Sequence, residues 1–211
     1  MRTSDAYGSL LALGRPVIET REAAARLGTS LTNASRILRA LDEAGLARRI
    51  RRGLWALDPE VDAFVVAPYL TAPFPAYVSF WSALARHDMI EQIPRSVFVA
   101  SLDRTKDLST PIGVFSIHHL APELFGGFDA TPDAGYLATP EKALFDTVYA
   151  RAPRGGHVYL PELSLPAGFD TAQLRSWIEK IPRPRLRTLV SRELEAALAR
   201  AVRDSASTGS G

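Results

Sequence analysis

The residues that could do chemistry are scattered along this chain and do not form a familiar catalytic set. His118 and His119 are adjacent, so in a strand they face opposite ways and cannot easily share a metal ion. Asp103 and Asp107 are four residues apart, as are Asp129 and Asp133. Neither pair is the compact Asp-x-Asp suited to two-metal phosphoryl transfer. Gly126-Gly127 lacks the lysine and following Ser/Thr of a phosphate-binding loop, and Ser79 and Ser82 lack the flanking glycines of a nucleophile elbow. Glu141 and Lys142 look reactive in isolation. In the first turn of an amphipathic helix they read as capping charges. A metal-dependent nuclease or nucleotidyltransferase using His119, Asp129 and Glu141 is the weaker reading. No catalytic residue, metal site or cofactor is expected. The absence of cysteine excludes disulfides, thiolate zinc sites and a cysteine nucleophile, and suits a reducing cytoplasm.

Arginine carries a different chemistry. The stretch Arg-Arg-Ile-Arg-Arg-Gly at 48–53 places Arg48, Arg49, Arg51 and Arg52 within five positions with no acid among them. On a β-hairpin tip such residues track phosphates or enter a narrow minor groove; a charged edge that prevents sheet aggregation is the plainer use. Upstream, Ser30, Thr32, Asn33, Ser35, Arg36 and Arg39 form the polar side of a helical pattern whose apolar stripe is Leu31, Ala34, Leu38 and Leu41, with Ile37 beside it. Asn suits adenine and Arg suits guanine as two-pronged contacts.

The elements that must position these groups are legible around them. A helix over 5–13 ends at Gly14-Arg15-Pro16. Thr20 is the expected cap of the next helix, which packs through Ala23, Ala24 and Leu27. Gly28 ends that helix and Ser30 caps the polar one. Two short strands, 46–50 and 54–57, flank the arginine turn. Helix, tight turn, helix and hairpin in that order describe a winged helix-turn-helix, whose second helix commonly enters the DNA major groove. It can also serve as a protein-docking module.

Charge is uneven behind a net of +2. Residues 1–60 hold ten arginines against seven acids, 61–174 hold seven bases against twelve acids, and 175–211 hold eight bases against four. Basic ends suit phosphate, and the acidic middle implies another task. Only Lys106, Lys142 and Lys180 are lysines. Arginine forks fit phosphate and guanine better than lysine does, although genomic base composition alone also enriches arginine. No apolar run approaches the roughly 18–20 residues needed to cross a membrane, and the N-terminus does not read as a signal peptide.

The expected fold is mixed α/β (α+β): a winged helix-turn-helix at 1–66, a proline-rich connection at 67–75, a mixed α/β domain ending in helices at 76–203, and a disordered tail at 204–211. Within the larger part, strands are expected at 95–101, 112–118 and 136–138, and a turn at 125–128. Helices are expected from Ser79 to about His87, from Thr139-Pro140-Glu141 onward, from Asp170 to about Ile181, and over 185–202.

The runs YVSFWSALARHDMIEQIPRSVFVAS, IGVFSIHHLAPELFGGF and YLATPEKALFDTVY, in this order behind the arginine hairpin, resemble the AbiEi-type antitoxins, transcriptional regulators of phage-defence loci. The likeness covers about residues 5–200 and is most specific at 77–87 and 138–149. It implies a type IV toxin–antitoxin function in the cytoplasm. Such a protein would bind double-stranded operator DNA at inverted repeats, repress its own operon, and counteract a nucleotidyltransferase-like toxin, with direct contact to that toxin left open. The alternative is a ligand-sensing regulator in which Trp81, Phe98, Phe115, Phe125, Phe128 and Tyr136 line a pocket; the same aromatics would serve equally as core.

Overall fold

In the computed structural model the described residues are 3–131, 135–152, 160 and 163–208, with the backbone alone described at 131 and 204–208. Two sheets and eight α-helices among these residues make a mixed α/β, α+β architecture.

The N-terminal elements follow local sequence rules. They are α1 (Thr3–Leu11), β1 (Val17–Glu19), α2 (Thr20–Arg26), α3 (Leu31–Glu43), β2 (Arg48–Arg51) and β3 (Leu54–Ala56). Glu19, not Thr20, takes the capping position of α2, and its N–H donates to the Glu22 carboxylate at 2.7 Å. The Thr20 hydroxyl instead accepts the Trp55 indole N–H at 3.0 Å. Gly28, at φ +58, turns the chain between α2 and α3, a conformation that costs a side chain-free residue little. Ser30 Oγ then accepts the Asn33 N–H at 3.2 Å and caps α3. Ala34, Leu38 and Leu41 are buried, with Ile37 partly buried against the same core. Leu31 is a correction to the expected stripe: at the first position of α3, one turn before the buried Ala34, it is 59 % exposed and stands outside the core.

Strands β1, β3 and β2 form an antiparallel sheet in that order, with Arg52-Gly53 at the hairpin turn. Its two faces go to different cores. Ile18 and Trp55 join Leu10, Leu38 and Leu41 under the helices. Val17, Ile50, Leu54 and Ala56 join the larger core with Tyr77, Phe115 and Phe145.

Helix α4 (Ala63–Leu70) follows, capped by Asp62, whose carboxylate accepts the Phe64 N–H at 2.8 Å. The stretch 67–75 therefore begins inside a helix that carries Pro68, and holds the buried Leu70 and Thr71. Next come β4 (Ala76–Val78), α5 (Phe80–Arg86), β5 (Val97–Ser101), β6 (Lys106–Thr110), β7 (Gly113–His119), β8 (Phe128–Thr131) and β9 (Gly135–Ala138). They make a six-stranded mixed sheet in the order β6-β7-β5-β4-β9-β8, with β4–β9 and β5–β7 parallel. Helices α6 (Pro140–Arg151), α7 (Thr171–Glu179) and α8 (Pro184–Thr208) complete the chain. Helix α8 runs past the expected end at Val202, so the tail expected to be disordered from 204 is helical as far as Thr208. Among the described residues no helix is long and apolar enough to cross a membrane.

Candidate nucleic-acid interface

The polar side of α3 combines exposed and tethered groups. Thr32, Arg36 and Arg39 are exposed, whereas Asn33 and Ser35 are half-buried. Asn33 Nδ2 donates to Thr29 Oγ1 at 2.7 Å, and Asn33 Oδ1 accepts from Arg36 Nη2 at 2.8 Å. Arg39 Nε donates to the Ser35 carbonyl at 3.3 Å. Ser30 and Asn33 thus shape the start of α3, and Asn33 holds the exposed Arg36 terminus against the helix.

The hairpin presents four exposed arginines in distinct settings. The Arg49 guanidinium lies over the Trp55 ring, 5.8 Å from its centroid. Arg51 turns inward, its Nη2 donating to the Tyr69 carbonyl of α4 at 3.4 Å. Arg48 stands opposite Ala56 in the ladder, and a register shift between Arg49 and Arg51 buries Ile50. Arg52 occupies the turn.

Helix and hairpin converge. Ser35 and Arg39 of α3 line one cleft of about 230 Å³ with Arg49 and Arg52. A second groove of about 490 Å³ runs along the other side of the hairpin, lined by Asp42, residues 48–52 and Pro111 of the β6–β7 turn. None of Arg36, Arg39, Arg48, Arg49, Arg51 and Arg52 forms an ion pair with a described acid. Unneutralised guanidinium forks along a concave surface are suited to phosphate oxygens.

The carboxylates and histidines stay apart. Among the described residues no three His, Cys, Asp or Glu side chains come close enough to hold a metal ion. His119 is on β7 and Asp129 on β8, four strand positions apart in the sheet, or roughly 19 Å at the usual strand spacing. Glu141 is buried, its carboxylate accepting the Asp170 N–H at 2.8 Å. The set His119, Asp129 and Glu141 is therefore not assembled. Asp133 lies outside the described residues. Of the aromatics expected to line one pocket or the core, Phe115 is wholly buried. Phe128 meets Phe125 and Tyr136 edge-on, and Tyr77 contacts both Phe125 and Phe128.

The larger departure from the sequence reading is at α6. Residues 141–148 are all buried, so this helix has no solvent side in its first two turns and is not amphipathic there. Lys142 and Asp146 are wholly buried and form an ion pair within α6. The Asp146 carboxylate also accepts from Ser79 Oγ at 2.7 Å and Tyr77 Oη at 3.0 Å. The Lys142 ammonium lies 4.7 Å from the Trp177 ring centroid and 5.0 Å from that of Phe145. Gly127 seals the site: a Cβ there would fall 2.6 Å from Trp177 and 3.0 Å from the Lys142 stem, at a backbone φ of +72. Burial pushes the Lys142 ammonium below its ordinary range, against the pull of Asp146. Burial pushes the Asp146 carboxyl up, against Lys142, Ser79 and Tyr77. The Tyr77 phenol is pushed well up by burial and by the Asp146 charge. Lysine four residues before aspartate looks like an ordinary surface pair. The available signal was the apolar content of all sides of EKALFDTV.

Compared with known proteins, the chain matches no family model and no curated protein.

Proposed function

We propose that residues 1–66 form a winged helix-turn-helix that reads double-stranded DNA, and that the protein is a repressor of its own operon with the role of an AbiEi-type antitoxin. The observation carrying the DNA reading is the convergence of α3 and the hairpin on one cleft lined by Arg39, Arg49 and Arg52, with six arginines that form no ion pair with a described acid. In this reading α3 enters the major groove. Arg36 and Thr32 meet base edges, while Arg39, Arg49 and Arg52 hold the backbone. Arg48 extends the phosphate track, and Arg51, bonded to Tyr69, braces the wing against α4. Ser30, Asn33 and Ser35 fix the shape of the helix start. The antitoxin role rests on the sequence resemblance at 77–87 and 138–149. Its partner is a nucleotidyltransferase-like toxin, and its compartment the cytoplasm.

The two arginine groups should fail differently. Arg36→Ala should cost about 1–3 kcal/mol on operator DNA and little on scrambled duplex. Arg52→Ala should weaken every sequence alike and lower the salt slope by about one unit. Binding isotherms on both duplexes at several salt concentrations separate these outcomes. If both variants hold operator affinity within about twofold throughout, this surface is not the DNA reader. The full-length double variant, co-expressed with the cognate toxin from an independent promoter, tests the second half of the proposal. Rescue without DNA binding supports an antitoxin action beyond repression.

A further inference from the structure

We propose a second binding site, for a nucleobase bearing a phosphate, on the outer side of α5 and the start of β5. It does not rest on the DNA reading, since it shares no residue with α3 or the hairpin. A cavity of about 390 Å³ opens there between Trp81 of α5, Phe98 of β5, Gln92, Arg95 and Arg151 at the end of α6, with Ile93 on its rim. That volume falls within the roughly 300–1,000 Å³ of small-molecule sites.

Its walls are aromatic and held in place. Phe98 is fixed on both sides of its backbone: its N–H donates to Ser82 Oγ at 2.8 Å and its carbonyl accepts the Ser79 N–H at 3.0 Å. Its ring stacks on His118 with the planes 14° apart. Trp81 follows Phe80, whose φ of +53 turns the chain sharply from β4 into α5. Phe80 itself is buried and Ser79 is anchored on the buried Asp146, so Trp81 sits on a rigid base. Of the three tryptophans, Trp55 and Trp177 are core residues and Trp81 is only half-buried.

The rest of the lining calls for an anion. Neither Arg95 nor Arg151 forms an ion pair with a described acid, and among the described residues no acid lines the cavity. Two guanidinium forks beside aromatic planes suit a phosphate joined to a flat ring, and the Gln92 amide supplies a donor and an acceptor for a base edge. Ile93 is 89 % exposed, an apolar rim that a bound base or sugar would cover. A free nucleotide and an unpaired nucleotide of a single strand share this chemistry.

The full-length protein is titrated with AMP, ATP, GTP, CTP and UTP, with adenosine and inorganic triphosphate as the separated halves, and with a short single-stranded oligonucleotide. Tryptophan emission is excited at the red edge, where nucleotides do not absorb, and calorimetry runs in parallel. Saturable quenching by at least one nucleotide is expected, as is loss of about tenfold or more in affinity with Arg95→Gln or Arg151→Gln. Trp81→Ala should weaken calorimetric binding of the mononucleotide, and Arg36→Ala with Arg52→Ala should leave that mononucleotide binding unchanged. Mononucleotide and oligonucleotide affinities then identify the source. Several outcomes would overturn the proposal: no saturable signal from any probe up to millimolar concentration, undiminished binding in the Arg95→Gln/Arg151→Gln protein, triphosphate binding as tightly as ATP, or full competition by polyglutamate. Arg95 and Arg151 are surface residues, so their variants keep the fold, and circular dichroism checks this.

Discussion

Lys142 and Asp146 pose an energetic question at the scale of single residues. Two charges removed from water cost several kcal/mol each, and their attraction repays this only when every remaining donor and acceptor is satisfied. Here Tyr77 and Ser79 supply the extra donors to Asp146, and the rings of Trp177 and Phe145 face the ammonium. Removing one partner leaves the other charge buried alone. Lys142→Met should therefore lose about 3–5 kcal/mol in urea unfolding. Adding Asp146→Leu should recover part of that loss, and a double variant as unstable as the sum of the singles would show that the pair is not coupled. Tyr77 adds a pH signature. Its folded pKa lies far above the value of about 10 in an unfolded chain, through burial and the Asp146 charge. The folded protein thus keeps a proton that the unfolded chain releases. Its contribution is intact below about pH 10 and is lost as pH rises beyond it, by up to about 1.4 kcal/mol per pH unit. Tyr77→Phe should flatten the alkaline fall of stability by that slope, and equal slopes in the two proteins would refute the assignment.

At the scale of elements, α3 shows how a periodic pattern can be right in phase and wrong at its end. Leu38 is wholly buried and Leu31 is 59 % exposed. Leu38→Ala should cost about 2–5 kcal/mol, and Leu31→Ala should stay within about 0.5 kcal/mol. Equal losses would mean that α3 packs one turn further toward its N-terminus. The elements with strong local grammar were readable from residues alone. The Gly28 turn, the Ser30 cap, the arginine turn, the Thr139 cap with Pro140 behind it and the Asp170 cap all stand where the sequence places them. Strands β1, β4, β6 and β8 were not read; β8 (FDAT) starts at Phe128, the last residue of the expected turn. β1 and β4 have three residues each, and β6 (KDLST) is a polar edge strand, so none shows a usable alternation. Helix α4 is apolar on every side and contains Pro68, which hides its period. The arginines of the candidate interface were legible as a cluster. Their division was not, because the turning of Arg51 to the Tyr69 carbonyl depends on α4, whose helical period the sequence hides. The aromatic cavity at Trp81 is also non-local, drawn from α5, β5 and the end of α6.

At the scale of the whole molecule, the small sheet belongs to both cores. Its outer face lies under α1, α2 and α3, and Val17, Ile50, Leu54 and Ala56 on its inner face merge with the core that contains Phe115 and Tyr77. Apolar surface buried across such a seam stabilises at roughly 25 cal/mol per Å², and it is lost if either side unfolds alone. The N-terminal elements and the six-stranded sheet should therefore unfold in one transition. Trp55 reports the first core and Trp177 the second. In Trp177→Phe and in Trp55→Phe, each with Trp81→Phe, one tryptophan remains. The fluorescence midpoint should coincide with the far-UV circular dichroism midpoint within each variant. A fragment ending at residue 62 should be less stable than the same elements in the full chain, because Val17, Ile50, Leu54 and Ala56 would meet water. Separate midpoints for the two reporters would show instead that the seam is weak and that the hairpin is positioned by its own core.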